Sequence, residues 1–317
     1  MELSELKLLQ ALPLEVKIMK SKARIEEWYR FYCKQVYVSF SGGKDSTVLL
    51  HLVRNLYPDV EAVFSDTGLE FPEIRDFVKT IDNVKWLKPK LGFKQVIEKY
   101  GYPVVSKEQS QYIYELRHLN KECITYQRRL NGNKWGRGKI SKKWKFLIDA
   151  PFETSHLCCS VMKKRPIKKY EKETGNNGFI GTMAEESQMR TSVYCQQGCN
   201  AFDNKRPIST PLGFWTEKDI WEYINLYNLP YSKIYDMGYE RTGCMFCMYG
   251  IGFDKGENRF QRMQKTHPKQ YEYCMKDTDN GGLGLGYVLD YINVPYKDNL
   301  VVMKTSEGVK YQQYKII

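Results

Sequence analysis

Short blocks of apolar residues alternate with polar turns along this chain, and their periods change in a readable way. Val36-Tyr37-Val38-Ser39-Phe40 is a β-branched and aromatic run with the character of a buried strand. Thr47 to Val53 then reads as a helix. After the Pro58-Asp59 turn, Val60 to Ser65 predicts a second strand. A helix follows from about Pro72 to Ile81, with proline in its first turn. Val84-Lys85-Trp86-Leu87 predicts a third strand and Phe93 to Tyr100 a short helix. This succession predicts an α/β fold with a doubly wound, mostly parallel sheet and helices on both faces. The sheet resumes at Gly178 to Met183, an extended piece spans Pro207 to Pro211, and Thr216 caps a helix running through Ile224, with Asp219 at its third position.

The flanks read differently. Residues 1–35 predict a helical N-terminus, with Leu8, Leu9, Leu12, Ile18, Ile25, Trp28 and Tyr29 at helical spacing and a break at Pro13. From Asp277 the chain is rich in glycine. It ends in Tyr287-Val288-Leu289 and Leu300-Val301-Val302-Met303, whose alternation predicts a terminal hairpin. The expected organisation is a helical segment 1–35, a nucleotide-binding domain 36–250 with a basic insertion at about 115–150, and a C-terminal extension 251–317.

Between the first strand and its helix lies Ser41-Gly42-Gly43-Lys44-Asp45-Ser46. Glycines there allow positive φ and close backbone approach. The first amides of a helix carry the positive end of its dipole, so an anion such as phosphate fits. Lys44 adds a point charge, Ser41 and Ser46 add hydroxyls, and Asp45 is suited to Mg²⁺. The spacing is not that of the Walker loop, which needs four residues between its glycine and Gly-Lys-Ser/Thr. Acidic and hydroxyl residues also end the second strand, at Asp66-Thr67-Gly68, where open α/β sheets bind ligands.

Composition sharpens this picture in two ways. The net charge is +12 with 24 tyrosines, a combination common in nucleic-acid binders. Much of that charge gathers at 117–145, where Arg117, Lys121, Arg128, Arg129, Lys134, Arg137, Lys139, Lys142, Lys143 and Lys145 interleave with Tyr126, Trp135 and Trp144. That mixture suits phosphate contacts and base stacking, or else a solvated surface insertion. No apolar run approaches the ~20 residues of a membrane span, and the N-terminus has no signal layout, so a cytosolic protein is expected.

The nine cysteines are the second clue. Cys158 and Cys159 are adjacent, and Cys244 and Cys247 form a Cys-x-x-Cys. A disulfide framework is not expected in a cytosolic chain of this size. The two pairs suit a [4Fe–4S] cluster, with structural zinc or ordinary buried or redox thiols as the alternatives. Lys163, Lys164 and Arg165 could stabilise thiolates or a negatively charged ligand. Cys195 and Cys199 are either a redox pair or two loop thiols, while Cys33, Cys123 and Cys274 read as packing residues.

Ser41 to Ser46 resembles the PP-loop of the N-type ATP pyrophosphatases. Taken with Asp66-Thr67-Gly68, Glu70 and Pro72, then Cys158-Cys159 with Lys163 and Pro166, the chain resembles the phosphoadenosine phosphosulfate (PAPS) reductase family of the adenine nucleotide α-hydrolase fold. Further matching pieces are Gly181, Glu186-Ser187 and Arg190, then Pro211-Leu212, Trp215-Thr216, Asp219-Ile220-Trp221, Leu229-Pro230-Tyr231, Tyr235-Asp236, Gly238-Tyr239 and Gly243-Cys244. The resemblance runs from about Tyr37 to Tyr249. It implies that Ser39, Ser41, Gly42, Gly43, Lys44, Asp45, Ser46, Asp66, Thr67 and Gly181 bind a nucleotide, with Lys44, Asp45 and Arg190 acting in catalysis. The four paired cysteines match the cluster-binding members.

One departure bears on function. Sulfonucleotide reductases of the family use a nucleophilic cysteine in a Glu-Cys-Gly-like motif near the C-terminus. Here the last cysteine is Cys274, in Tyr273-Cys274-Met275-Lys276. The expectation is therefore an ATP pyrophosphatase that adenylylates an acceptor, with nucleic acid favoured, for sulfur insertion. Its expected cofactors are Mg²⁺ and a [4Fe–4S] cluster, and a cysteine desulfurase is its expected partner. The alternatives are a sulfonucleotide reductase producing sulfite and a binding module without turnover.

Overall fold

The computed structural model describes residues 1–254 and 256–297, and the backbone of 300–305 and 308–313. Two helices open the chain, α1 (Leu3–Gln10) and α2 (Leu14–Phe31), parted at Pro13. Next come β1 (Val36–Ser39), α3 (Lys44–Leu56), β2 (Ala62–Ser65), α4 (Pro72–Lys79) and β3 (Val84–Leu87). Helices α5 (Phe93–Tyr100), α6 (Lys107–His118) and α7 (Ile124–Asn131) follow, with a 3₁₀ stretch over Lys142–Asp149. Then come α8 (Arg165–Thr174), β4 (Asn177–Ile180), α9 (Gln188–Gln197), β5 (Asn200–Ala201), β6 (Ile208–Ser209) and α10 (Glu217–Leu226). The chain closes with α11 (Arg259–Thr266), α12 (Pro268–Met275), α13 (Leu285–Tyr291), β7 (Leu300–Thr305) and β8 (Gly308–Gln313).

The chain forms two compact units, each drawn from two stretches. The first takes Met1–Pro89 and Lys163–Thr242, the second Lys90–Met162 and Gly243 onward. The first unit holds a six-stranded sheet in the order β3-β2-β1-β4-β6-β5. All its pairings are parallel except β5 with β6. Strand order reverses beside β1: β2 and β3 lie on one side, β4 and β6 on the other. Ser39, at the end of β1, pairs with Val63 on one flank and Ile180 on the other. The carboxyl ends of β1 and β4 thus flank the crevice where open sheets bind ligands.

Buried β-branched and aromatic residues make this sheet. Val36, Tyr37, Val38, Val63, Phe64 and Phe179 are all buried. Burial and the Tyr37 hydroxyl's hydrogen bond to Glu171 (2.7 Å) raise the Tyr37 pKa well above the usual phenol range. The N-terminal helix is part of this core, because Trp28 is fully buried and packs on Phe179 and Phe202. Lys17 on α2 is also buried. Its ammonium donates to Gln10 O (2.7 Å) and pairs with Asp219 Oδ2 (2.6 Å). Asp219 closes the expected capping box of α10, accepting from Thr216 N at 2.6 Å.

In the second unit the stretch before Cys158 and the stretch after Gly243 are mutually bonded. The Tyr102 hydroxyl donates to Leu283 O (2.9 Å), Gly250 N donates to Val105 O (2.8 Å), and Phe152 packs against Tyr287 and Tyr291. The insertion therefore shares its unit with the C-terminal stretch. Tyr287-Val288-Leu289 is a correction: it lies in α13, not in a hairpin. Leu285, Val288 and Leu289 are buried at helical spacing, and that period outweighs the local alternation. Strands β7 and β8 form the hairpin further on. Among the described residues no helix is long and apolar enough to cross a membrane.

Candidate functional site

The loop between β1 and α3 is shaped by its two glycines. Gly42 has φ of +72°, and a Cβ there would stand 2.7 Å from Val78 Cγ2 and 2.9 Å from Ile74 Cγ2. Gly42→Ala is expected to lower unfolding stability by roughly 1–3 kcal/mol, read from the shift of a urea midpoint, since it adds both backbone strain and overpacking. A Cβ on Gly43 would meet Thr242 Oγ1 at 2.6 Å and Tyr235 OH at 3.2 Å. Ser46 closes the loop from inside. Its hydroxyl accepts from Ser41 N (3.1 Å) and donates to Gly43 O (2.9 Å).

Lys44 opens α3 and is buried. Its ammonium lies 3.3 Å from Asp45 Oδ1 and 3.2 Å from Glu217 Oε1. Burial opposes this charge, but Asp45, Tyr235 and Glu217 outweigh it and raise the Lys44 pKa. The Lys44 backbone amide donates to the Tyr235 hydroxyl at 2.8 Å, so the leading amide of the helix already has a partner. Burial raises the Asp45 pKa, and Glu186 adds to it, against the pull of Lys44. Asp45 Oδ1 is buried and accepts no hydrogen bond despite its nearness to the ammonium. A buried carboxylate oxygen without a donor fits a hard cation, since Mg²⁺ takes oxygen ligands.

The neighbouring strand ends complete the crevice. Gly181 follows β4, and a Cβ there would come within 3.2 Å of Asp45 O, so glycine allows the strand end to touch the helix start. Asp66, after β2, is buried, pairs with Arg75 (3.0 Å) and accepts from Gly68 N (3.3 Å). Thr67 commits its amide (2.9 Å) and hydroxyl (2.8 Å) to Glu70, which lies 3.7 Å from Lys163. Lys163 thus faces an acidic side chain of its own unit. Arg190, in the first turn of α9, pairs with Glu186 and lines an apolar cavity of about 140 Å³ with Thr182, Met183 and Tyr194. Loop, lysine, aspartate and Gly181 therefore come together at one crevice, and Arg190 is linked to it through Glu186. Glu186, Glu217 and Tyr235 are its unforeseen members. Tyr235-Asp236 stands out in the sequence, but nothing local assigns that phenol to the loop.

All four paired cysteines belong to the second unit. No disulfide involves them, and Cys158 is buried. The Tyr249 hydroxyl donates to Ser155 O (2.9 Å), and burial, then Cys159, Cys158 and Cys247, raise its pKa. Cys244 joins through its carbonyl, which accepts from Cys247 N at 3.2 Å. Among the described residues no three His, Cys, Asp or Glu side chains are close enough to hold one metal ion. A single zinc needs four ligand atoms at about 2.0–2.3 Å. Elsewhere, Cys274 is fully buried in α12, donates to Tyr271 O (3.2 Å), and has its pKa raised by burial. Burial likewise raises the pKa of Cys199.

The basic insertion separates into two groups. Arg117 donates to Phe152 O (2.7 Å) and pairs with Glu153 (2.9 Å), while Arg129 pairs with Glu115 and covers the Tyr112 ring. These two hold the insertion together. Lys121, Arg128, Lys134, Arg137, Lys139, Lys142, Lys143 and Lys145 are exposed. Trp135 and Trp144 carry Lys134 and Lys143 over their rings, at 4.3 and 4.7 Å.

Residues 35–249 match the phosphoadenosine phosphosulfate reductase domain. An adenosine 5'-phosphosulfate reductase of Geobacillus kaustophilus is 30% identical over 221 residues, covering 69% of this chain and 75% of that protein. An uncharacterised protein of Methanocaldococcus jannaschii is 27% identical over 257 residues, covering 80% of this chain, which spans 50% of that protein's length. The PAPS reductase of Candida auris, in its phosphate complex, matches with a TM-score of 0.44 and 17% identity, over 77% of this chain and 96% of that one.

Proposed function

Since the chain belongs to the phosphoadenosine phosphosulfate reductase family, we propose that it is an ATP pyrophosphatase that adenylylates an acceptor for sulfur insertion. The observation that carries this reading is the pair Lys44 and Asp45: a buried ammonium 3.3 Å from a buried carboxylate oxygen that accepts from no other donor. A pyrophosphate leaving group needs such a lysine and a hard cation. A sulfonucleotide reductase expels AMP or adenosine 3',5'-bisphosphate instead and has no pyrophosphate to neutralise.

In this reading ATP lies with its phosphates against residues 41–46. An acceptor oxygen attacks the α-phosphorus, a new P–O bond forms, and the bond to pyrophosphate breaks. The loop amides and Lys44 stabilise the charge that grows on the leaving oxygens. Asp45 would hold Mg²⁺, which neutralises the same oxygens when bound. Arg190, paired with Glu186, would contact the anionic substrate. A sulfur nucleophile then displaces the monophosphate, so a bond to sulfur forms as the activated C–O bond breaks. Cys158, Cys159, Cys244 and Cys247 would hold the [4Fe–4S] cluster, which carries or activates that sulfur when present. A cysteine desulfurase would supply it.

The acceptor in this reading is nucleic acid, because the outward cations of 121–145 carry no ion pairs among the described residues, Arg129 excepted. Replacing Lys142, Lys143 and Lys145 by glutamine should weaken binding of tRNA or single-stranded DNA. It should also reduce the slope of log K against log salt by about 0.7–0.9 for each phosphate no longer neutralised. Fluorescence anisotropy over a salt series measures this, and a wild type that binds neither polymer removes the nucleic-acid acceptor.

The relatives' names support a second reading, reduction of a sulfonucleotide to sulfite. Cys274 speaks against supplying the nucleophile for it, being buried within a helix. Anaerobically purified protein decides between the two. Pyrophosphate released from ATP with an acceptor supports the first reading; sulfite from adenylyl sulfate with a dithiol, and no pyrophosphate, replaces it with the second.

A further inference from the structure

The two cysteine pairs are linked by residues that are not thiols. Tyr249 lies two positions after Cys247, and its hydroxyl reaches Ser155 O (2.9 Å), three residues before Cys158. One phenol therefore ties the loop carrying one pair to the loop carrying the other. Arg259 holds the same loop from its other side. Its Nη1 donates to the carbonyls of Cys247 (3.2 Å) and Tyr249 (3.1 Å). Its Nε and Nη2 grip Asp254 at 3.0 and 2.8 Å, which fixes the guanidinium plane.

This grip has a firm base. Arg259 is the first residue of α11, and Asn258 caps that helix, accepting from Phe260 N (3.0 Å) and Gln261 N (3.2 Å). Phe260 and Met263 of the same helix are fully buried. The segment from Arg241 to Tyr249, by contrast, contains no helix or strand. Its backbone is held from outside, by a side chain anchored in a packed helix.

We propose that Tyr249 and Arg259 are positioning residues that set the two cysteine pairs facing one another before any cofactor arrives, with Asp254 locking the arginine fork. The inference rests on the cluster reading of the four thiols only for what the frame receives; the frame itself is a property of the metal-free chain. Outer residues that orient ligands typically account for 10–100-fold in metal affinity.

The test uses the full chain, as wild type, Tyr249→Phe and Arg259→Lys. Tyr249→Phe removes one hydroxyl and keeps the ring. Arg259→Lys keeps the charge and removes the fork. Metal-free protein is followed by hydrogen exchange at residues 244–249, then offered ferrous iron and sulfide anaerobically and read by iron content, visible absorbance and electron paramagnetic resonance. Faster exchange in both variants, with iron affinity down by about 10–100-fold and an altered resonance spectrum, is expected. Circular dichroism like wild type shows that the rest of the chain has kept its fold. Wild-type exchange in both variants overturns the proposal. If the wild type itself takes up no iron, the cluster reading falls, and the exchange measurement still decides whether the frame exists.

Discussion

Lys44→Ala is expected to slow pyrophosphate release from ATP by roughly 10²–10³-fold, the usual cost of removing one group that stabilises charge at the reacting centre. The lysine is buried, so its ammonium is shielded from bulk water. Asp45→Asn should give a loss of similar size. It should also flatten the dependence of rate on Mg²⁺, because the amide keeps the shape and loses the charge. Glu217→Gln makes the contrast. Glu217 lies 3.2 Å from the Lys44 ammonium, where a phosphate oxygen would be received. Removing its charge should lower the KM for ATP. A steady-state series over ATP and Mg²⁺ reads all three, and Lys44→Ala turning over at the wild-type rate would discard the loop as the reacting site.

The second large effect concerns stability. Lys17→Ala is expected to cost about 3–5 kcal/mol, the range for breaking a buried ion pair so that one charge is left alone. Lys17 is 1% exposed and Asp219 is 6% exposed, so water cannot readily solvate the survivor. Asp219→Ala loses the same pair together with the carboxylate half of the α10 capping box, so it is expected to cost more than Lys17→Ala. The double variant should then cost far less than the sum of the two, because contacting residues are coupled. Urea unfolding of the three variants gives the coupling directly, and simple additivity would mean that the pair contributes nothing of its own.

Much of the first unit is legible in the chain. Val36–Ser39, Ala62–Ser65 and Val84–Leu87 are strands where apolar β-branched and aromatic residues cluster, and Thr216 with Asp219 caps α10 as the spacing predicts. These are local effects, fixed by period and by side chains three residues apart. The Lys17–Asp219 pair is not legible, since its members lie far apart in the chain, Lys17 alone reads as a surface charge and Asp219 only as the third residue of a capped helix. Nor is the seating of Tyr235 on the Lys44 amide, a meeting made by folding rather than by spacing. The helix over Tyr287–Leu289 escapes a local reading because three residues fit either period, and only the burial of Leu285 with Val288 and Leu289 decides between them. Arg259 reads as one more basic residue in the chain; Asp254 and two carbonyls gathered around it in the fold give it its task.

The second unit is assembled from two stretches separated in the chain by Lys163–Thr242. A ribosome making this protein therefore delivers every residue of the sheet-bearing unit before it has finished the other. Cys158 and Cys159 emerge early, 85 residues or more before Cys244 and Cys247 are synthesised. In the proposed reading, loading of a cofactor shared by the four thiols is thus a late event in the life of the molecule, open only once translation has passed that point.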